Sequence, residues 1–90
     1  GVQVLPSQAA IDEAAGKGLI AMLQKCHQWE RFPSKRGANN AASNGHLDVL
    51  KWIAGLQAPV YPTQRGANYA AKNGHLEVLK WMAGLQSPVY

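Results

Sequence analysis

The chain of 90 residues is short of cysteine, of acid and of aromatic side chains. Cys26 is its one cysteine, so no disulfide closes within the chain, and such usage suits a reducing compartment. Carboxylates number five: Asp12, Glu13, Glu30, Asp48 and Glu77. Asp48 and Glu77 each stand three residues before a lysine, Lys51 and Lys80, a spacing that pairs charges on a helix. No carboxylate constellation suited to acid–base catalysis stands out, so an enzyme is not expected. No apolar run approaches the roughly 18 residues of a membrane span. Gly1-Val2-Gln3 carries no signal-peptide pattern. Nine basic residues give a net charge of +4, but they are scattered rather than run together, which argues against a nucleic-acid partner.

What the chain has in plenty is itself. Pro33 to Tyr61 and Pro62 to Tyr90 follow one pattern with a period of 29, and 22 of the 29 positions are identical. Repetition at such a period marks a stack of units, each burying its apolar face on the next. A worn third copy precedes them, since at an offset of 27 Pro6-Ser7 matches Pro33-Ser34, Ala14-Ala15 matches Ala41-Ala42, and Gly18 matches Gly45. The units are therefore 6–32, 33–61 and 62–90, with 1–5 as the tail of a preceding unit. The whole is expected to be a single array and a segment of a longer protein.

Each unit is predicted to hold two helices. The first follows a Pro-Ser or Pro-Thr start, with Ser34 and Thr63 placed to cap it. Its small residues (Gly37, Ala38, Ala41, Ala42, and Gly66, Ala67, Ala70, Ala71) let a neighbouring helix approach closely. Gly37 and Gly66 fit the first turn or a point where another backbone crowds in. Asn44-Gly45 and Asn73-Gly74 supply the left-handed residue that ends the first helix. The second helix is predicted over 47–54 and 76–83, where apolar residues recur at helical spacing. Gly55 and Gly84 are expected to stop it, and Pro59 and Pro88 to prevent a restart. Unit 1 lacks such a proline, so its second helix is predicted to run on through Gln28 and Trp29.

Ala41-Ala42-Ser43-Asn44-Gly45-His46-Leu47-Asp48-Val49-Leu50-Lys51-Trp52 and its counterpart Ala70 to Trp81 resemble the central signature of the ankyrin-repeat family. The resemblance implies an all-α helix-turn-helix solenoid of three stacked units. The family's repeat is about 33 residues. Here Arg65-Gly66-Ala67-Asn68 replaces its Thr-Pro-Leu-His opening, and Gln57-Ala58-Pro59-Val60-Tyr61 replaces its Gly-Ala-Asp stretch. The shortening implies loss of the projecting β-hairpin finger. By resemblance the chain is a non-catalytic scaffold for a protein partner, without a cofactor. The setting implied is the cytoplasm, or a host cytosol for a secreted effector. Alternatives are self-assembly through uncapped ends, head to tail, or a targeting arm for an activity elsewhere on the parent protein.

Chemistry at particular residues competes with packing. His46 and His75 are one unit apart, about 8–10 Å if units stack as packed helices do. That is too far to share a zinc ion held at about 2 Å, so no metal site is expected. The expected role of each imidazole is a backbone hydrogen bond at the Gly45-His46 or Gly74-His75 turn, tying adjacent units. Gly16-Lys17-Gly18 is too short for a phosphate loop. Cys26 aligns with Ile53 and is expected to be buried, with His27 exposed. Trp52 and Trp81 fit packing between units better than a binding anchor. Tyr61 and Tyr90 are expected to cover the short connection. Positions that differ between near-identical units are free of the fold's demands. Asn40/Tyr69, Ser43/Lys72 and Lys35/Gln64 fall on the first helix, which lines the concave face in ankyrin arrays. Lys35, Asn40, Ser43, Gln64, Tyr69 and Lys72 are accordingly the candidate contacts for a partner.

Overall fold

The computed structural model describes residues 6–57 and 59–86. Residues 1–5, the Ala58/Ser87 pair and Tyr90 lie outside them. Among the described residues there are six helices and no strand: α1 (Gln8–Gly16), α2 (Ile20–His27), α3 (Lys35–Ser43), α4 (Leu47–Ala54), α5 (Gln64–Lys72) and α6 (Leu76–Gln86). The fold is an all-α helical repeat stack. None of these helices is long and apolar enough to cross a membrane.

The order follows from residue size. Close backbone approach is concentrated between α1 and α3 and between α3 and α5. Alanine and glycine permit it, for Ala14, Ala15, Ala38, Ala41, Ala42 and Ala70 are all buried. A Cβ built on Gly16 would stand 2.8 Å from the Asn40 Cβ, and one on Gly37 2.8 Å from Asp12 Oδ1. The second helices carry bulkier side chains. Leu23, Cys26, Val49, Leu50, Ile53, Val78 and Met82 form the core with those alanines, and Trp29, Trp52 and Trp81 pack half-buried against it. Small inner and large outer residues make each unit a wedge.

Each first helix ends on a left-handed glycine, with φ of 74°, 76° and 80° at Gly18, Gly45 and Gly74. The next amide then reaches back to the helix: Leu19 to Ala14 O, His46 to Ala41 O, and His75 to Ala70 O. This is the six-to-one bond of a glycine-terminated helix.

The structure corrects several expectations. α2 ends at His27, and Gln28 and Trp29 lie in a turn. Glu30 takes the left-handed conformation there (φ 57°), and Arg31 N–H bonds to Cys26 O, closing the helix without glycine. α6 continues through Gly84 to Gln86, whereas α4 stops before Gly55. Ser34 and Thr63 sit at the N-cap positions, yet neither side chain caps its own helix, because each hydroxyl is engaged by the preceding unit. Among the described residues Asp48–Lys51 and Glu77–Lys80 form no ion pair; Asp48 Oδ1 instead accepts from the Val49 amide at 2.9 Å, at the positive end of α4. The one ion pair described, Lys17–Glu13 at 3.3 Å, is exposed and contributes little. Tyr61 is exposed, so it does not cover the connection. There the chain folds back instead through Val60, whose amide bonds to Ile53 O.

Candidate interaction groove

Helices α3 and α5 lie side by side and leave an open groove of about 590 Å³ between their outward faces. It is lined by Arg36, Asn39, Asn40, Ser43, Arg65 and Tyr69. Tyr69 is exposed and projects an aromatic ring where unit 2 has the smaller Asn40. Arg36 and Arg65 occupy the same place in successive units, and both are exposed. No carboxylate lines this groove. A second, shallower depression continues along α1 and α3, and there Asp12, Glu13 and Lys17 join Arg36 and Asn40.

Of the candidates drawn from unit-to-unit differences, Asn40, Ser43 and Tyr69 line the main groove; Lys35, Gln64 and Lys72 do not. Arg36, Asn39 and Arg65 were missed because comparing units selects what changes. The arginines are invariant between the two units, which is the same signal a structural residue gives.

Below the groove, three contacts recur wherever one unit meets the next. In the first, a side chain on one inner helix holds the start of the following one. The Asp12 carboxylate, 4% exposed, accepts Ser34 N–H at 2.7 Å and Ser34 Oγ–H at 2.6 Å. Asn39 does the same one unit on, accepting Thr63 N–H at 2.7 Å and donating to Thr63 Oγ1 at 3.0 Å. In the second, the turn asparagine reaches back to the preceding unit: Asn44 Nδ2 donates to Gly16 O at 2.7 Å, and Asn73 Nδ2 to Ser43 O at 2.8 Å.

The third contact is the histidine. A Cβ on Gly18 would stand 2.6 Å from His46 Nδ1, and one on Gly45 2.6 Å from His75 Nδ1. The imidazole thus rests on the bare glycine of the preceding turn. The expected hydrogen bond from the imidazole to backbone is not among the described contacts; the ring fills space that a side chain would otherwise claim. His27 is exposed but not idle, meeting Phe32 and Trp52 edge-on at 5.2 and 6.2 Å between centroids. Among the described residues no group of three or more metal-ligating side chains comes together.

A stack of helix pairs with an open, polar inner groove defines a helical-repeat module of the kind that displays a surface. Residues 40–83 match the family model for ankyrin repeats (many copies). Over these residues the chain is similar to ankyrin repeats, and such repeats generally mediate protein–protein interactions. No curated protein and no solved structure matches the chain significantly.

Proposed function

We propose that the chain is a non-catalytic interaction module that binds an acidic, extended segment of a protein partner along the α3–α5 groove. The carrying observation is the lining itself: two arginines in register, amides between them, an exposed tyrosine and no carboxylate. Arginine engages carboxylates through paired N–H donors, and exposed aromatics supply contact area at low ordering cost. Successive units stack about 8–10 Å apart, and a polyproline-II segment rises about 3.1 Å per residue and returns to the same face every third residue. Acidic side chains three residues apart on such a segment would therefore meet Arg36 and Arg65 together. One wall of the groove, α3, is packed between α1 and α5, so that side meets a partner already ordered.

The test is selection of peptides from a random library on the immobilised chain, followed by affinity measurement. Selected sequences should carry acidic residues at that spacing, and Arg36→Ala and Arg65→Ala should each weaken binding about tenfold. Lys51→Ala, on the exposed side of α4, should leave it unchanged. Binders that lack acid, or that lose affinity with Lys51→Ala rather than with the arginine variants, would overturn the reading. Preferential retention of nucleic acid, with steep loss as salt rises, would assign the groove to phosphate instead.

A further inference from the structure

Helices α1, α3 and α5 have the same length and register, so residues at equal positions form rows that cross all three. One row is Ala9, Arg36 and Arg65; the next is Glu13, Asn40 and Tyr69. The two depressions share Arg36 and Asn40, which makes them one trough across the inner helices. Its charge changes along its length. The α3–α5 end carries two exposed arginines and no carboxylate, whereas the α1 end carries Asp12 and Glu13. These two carboxylates differ in what they are free to do. Asp12 is buried, and its oxygens already take donors from Ser34 and Gln8. Glu13 is open: its side chain is 68% exposed, and its described partner, Lys17 at 3.3 Å, is itself 63% exposed. A pair in that setting holds loosely, so the carboxylate can exchange one cation for another.

We propose that Glu13 reads charge order in the bound segment, taking a basic side chain of the partner one unit beyond the acidic residue held by Arg36. This rests on the groove reading above and deepens it from two charges to three. One step of the stack is about 8–10 Å, or three residues of a polyproline-II segment. The recognised pattern is therefore one basic and two acidic residues, each three positions from the last, laid over Glu13, Arg36 and Arg65. Tyr69 marks the opposite end of Glu13's row, where it offers a ring instead of a charge. A segment acidic at all three positions would set a carboxylate against Glu13, and that like-charge contact counts against it. The trough thus separates a mixed-charge segment from a uniformly acidic one, which the arginines alone do not.

The experiment measures the affinity of the chain for synthetic peptides that share the acidic pair and carry Lys, Gln or Glu three positions outside it. Each is made with that residue on the N-terminal and on the C-terminal side of the pair. With the unaltered chain, one placement should rank Lys over Gln over Glu, about threefold per step at low salt. Glu13→Gln should level the three peptides, and Glu13→Lys should reverse their order. The ranking on the unaltered chain needs no variant, so the inference can be refuted even where a substitution loosens α1. Equal affinity for the three peptides in both placements, or an order that Glu13→Lys leaves unchanged, would overturn it. So would a preference for Glu that Lys17→Gln removes, since Lys17 would then be the reader. The groove reading survives each of these results as long as Arg36→Ala and Arg65→Ala still weaken binding of every peptide. If those variants bind as the unaltered chain does, the groove reading fails and this inference with it.

Discussion

Asp12 is the one buried charged side chain among the described residues, and it is spent on a neighbour. Its two oxygens take an amide and a hydroxyl from Ser34 and a third donor, Gln8 Nε2, at 3.1 Å. Losing it would leave the Ser34 amide, at the N-cap of α3, without a partner in a half-buried place. Asp12→Ala should therefore cost about 1–3 kcal/mol in a urea titration, while Asp12→Asn, which keeps an acceptor as Asn39 does, should cost less than half of that. Equal losses for the two variants would mean that charge, and not the hydrogen bonds, matters. Gly45 and Gly74 offer a matched pair at the same scale. Both are left-handed, so alanine at either pays about 1–2 kcal/mol. Only at Gly45 would the new methyl also strike His75. Gly45→Ala should be the more damaging, and His75→Ala in the same chain should recover the excess. If the two glycine variants melt together, the imidazole is not seated as described.

At the scale of elements, the inner helices are held close and the outer ones apart, and the property rests on side-chain volume. Ala42 lies fully buried on the face of α3 toward α5; Ala71, its equivalent on α5, is exposed. Ala42→Leu should overpack that seam and cost about 1–3 kcal/mol, whereas Ala71→Leu should stay within about 0.5 kcal/mol; thermal melts of both variants decide it. Much of this was legible in the sequence. The period of 29, the alanine-rich first helix, the Asn-Gly turn and the bounds of α4 all follow from local pattern, because spacing and glycine placement act within a few residues. What was not legible is whom a polar side chain serves. Ser34 looks like a cap for its own helix, and only the placement of Asp12 across the seam redirects its hydroxyl. The ion pair read from Asp48 failed similarly, since its carboxylate takes the adjacent Val49 amide instead; the one read from Glu77 is also absent among the described contacts, and nothing in the structure explains that. The groove was half legible: variation between units pointed to Asn40, Ser43 and Tyr69, while Arg36 and Arg65 were hidden by their constancy.

The whole molecule is a line of three wedges, 52 × 28 × 18 Å in extent, in which the close helix contacts run between successive units. Stability in such a line is a sum over units and seams, so the middle unit, with two seams, should be the hardest to open. Burial follows the same order: Ala38, Ala41, Ala42, Val49, Leu50 and Ile53 of unit 2 are all fully buried, whereas in unit 3 Ala71, Leu76 and Tyr69 stand exposed. Amide hydrogen exchange should accordingly be slowest in α3 and α4, with α5 and α6 opening at lower free energy and α1 and α2 between or alongside them. The order has a functional consequence. The arginine of α5 sits on the unit that opens more readily, so a partner bridging Arg36 and Arg65 would clamp that unit onto the middle one. Slowed exchange in α5 and α6 on adding a selected acidic peptide, with α3 and α4 little changed, is the expected signature. Exchange that is uniform along the chain, or slowest in α6, would mean that the seams do not set the stability and that the three units open as one body.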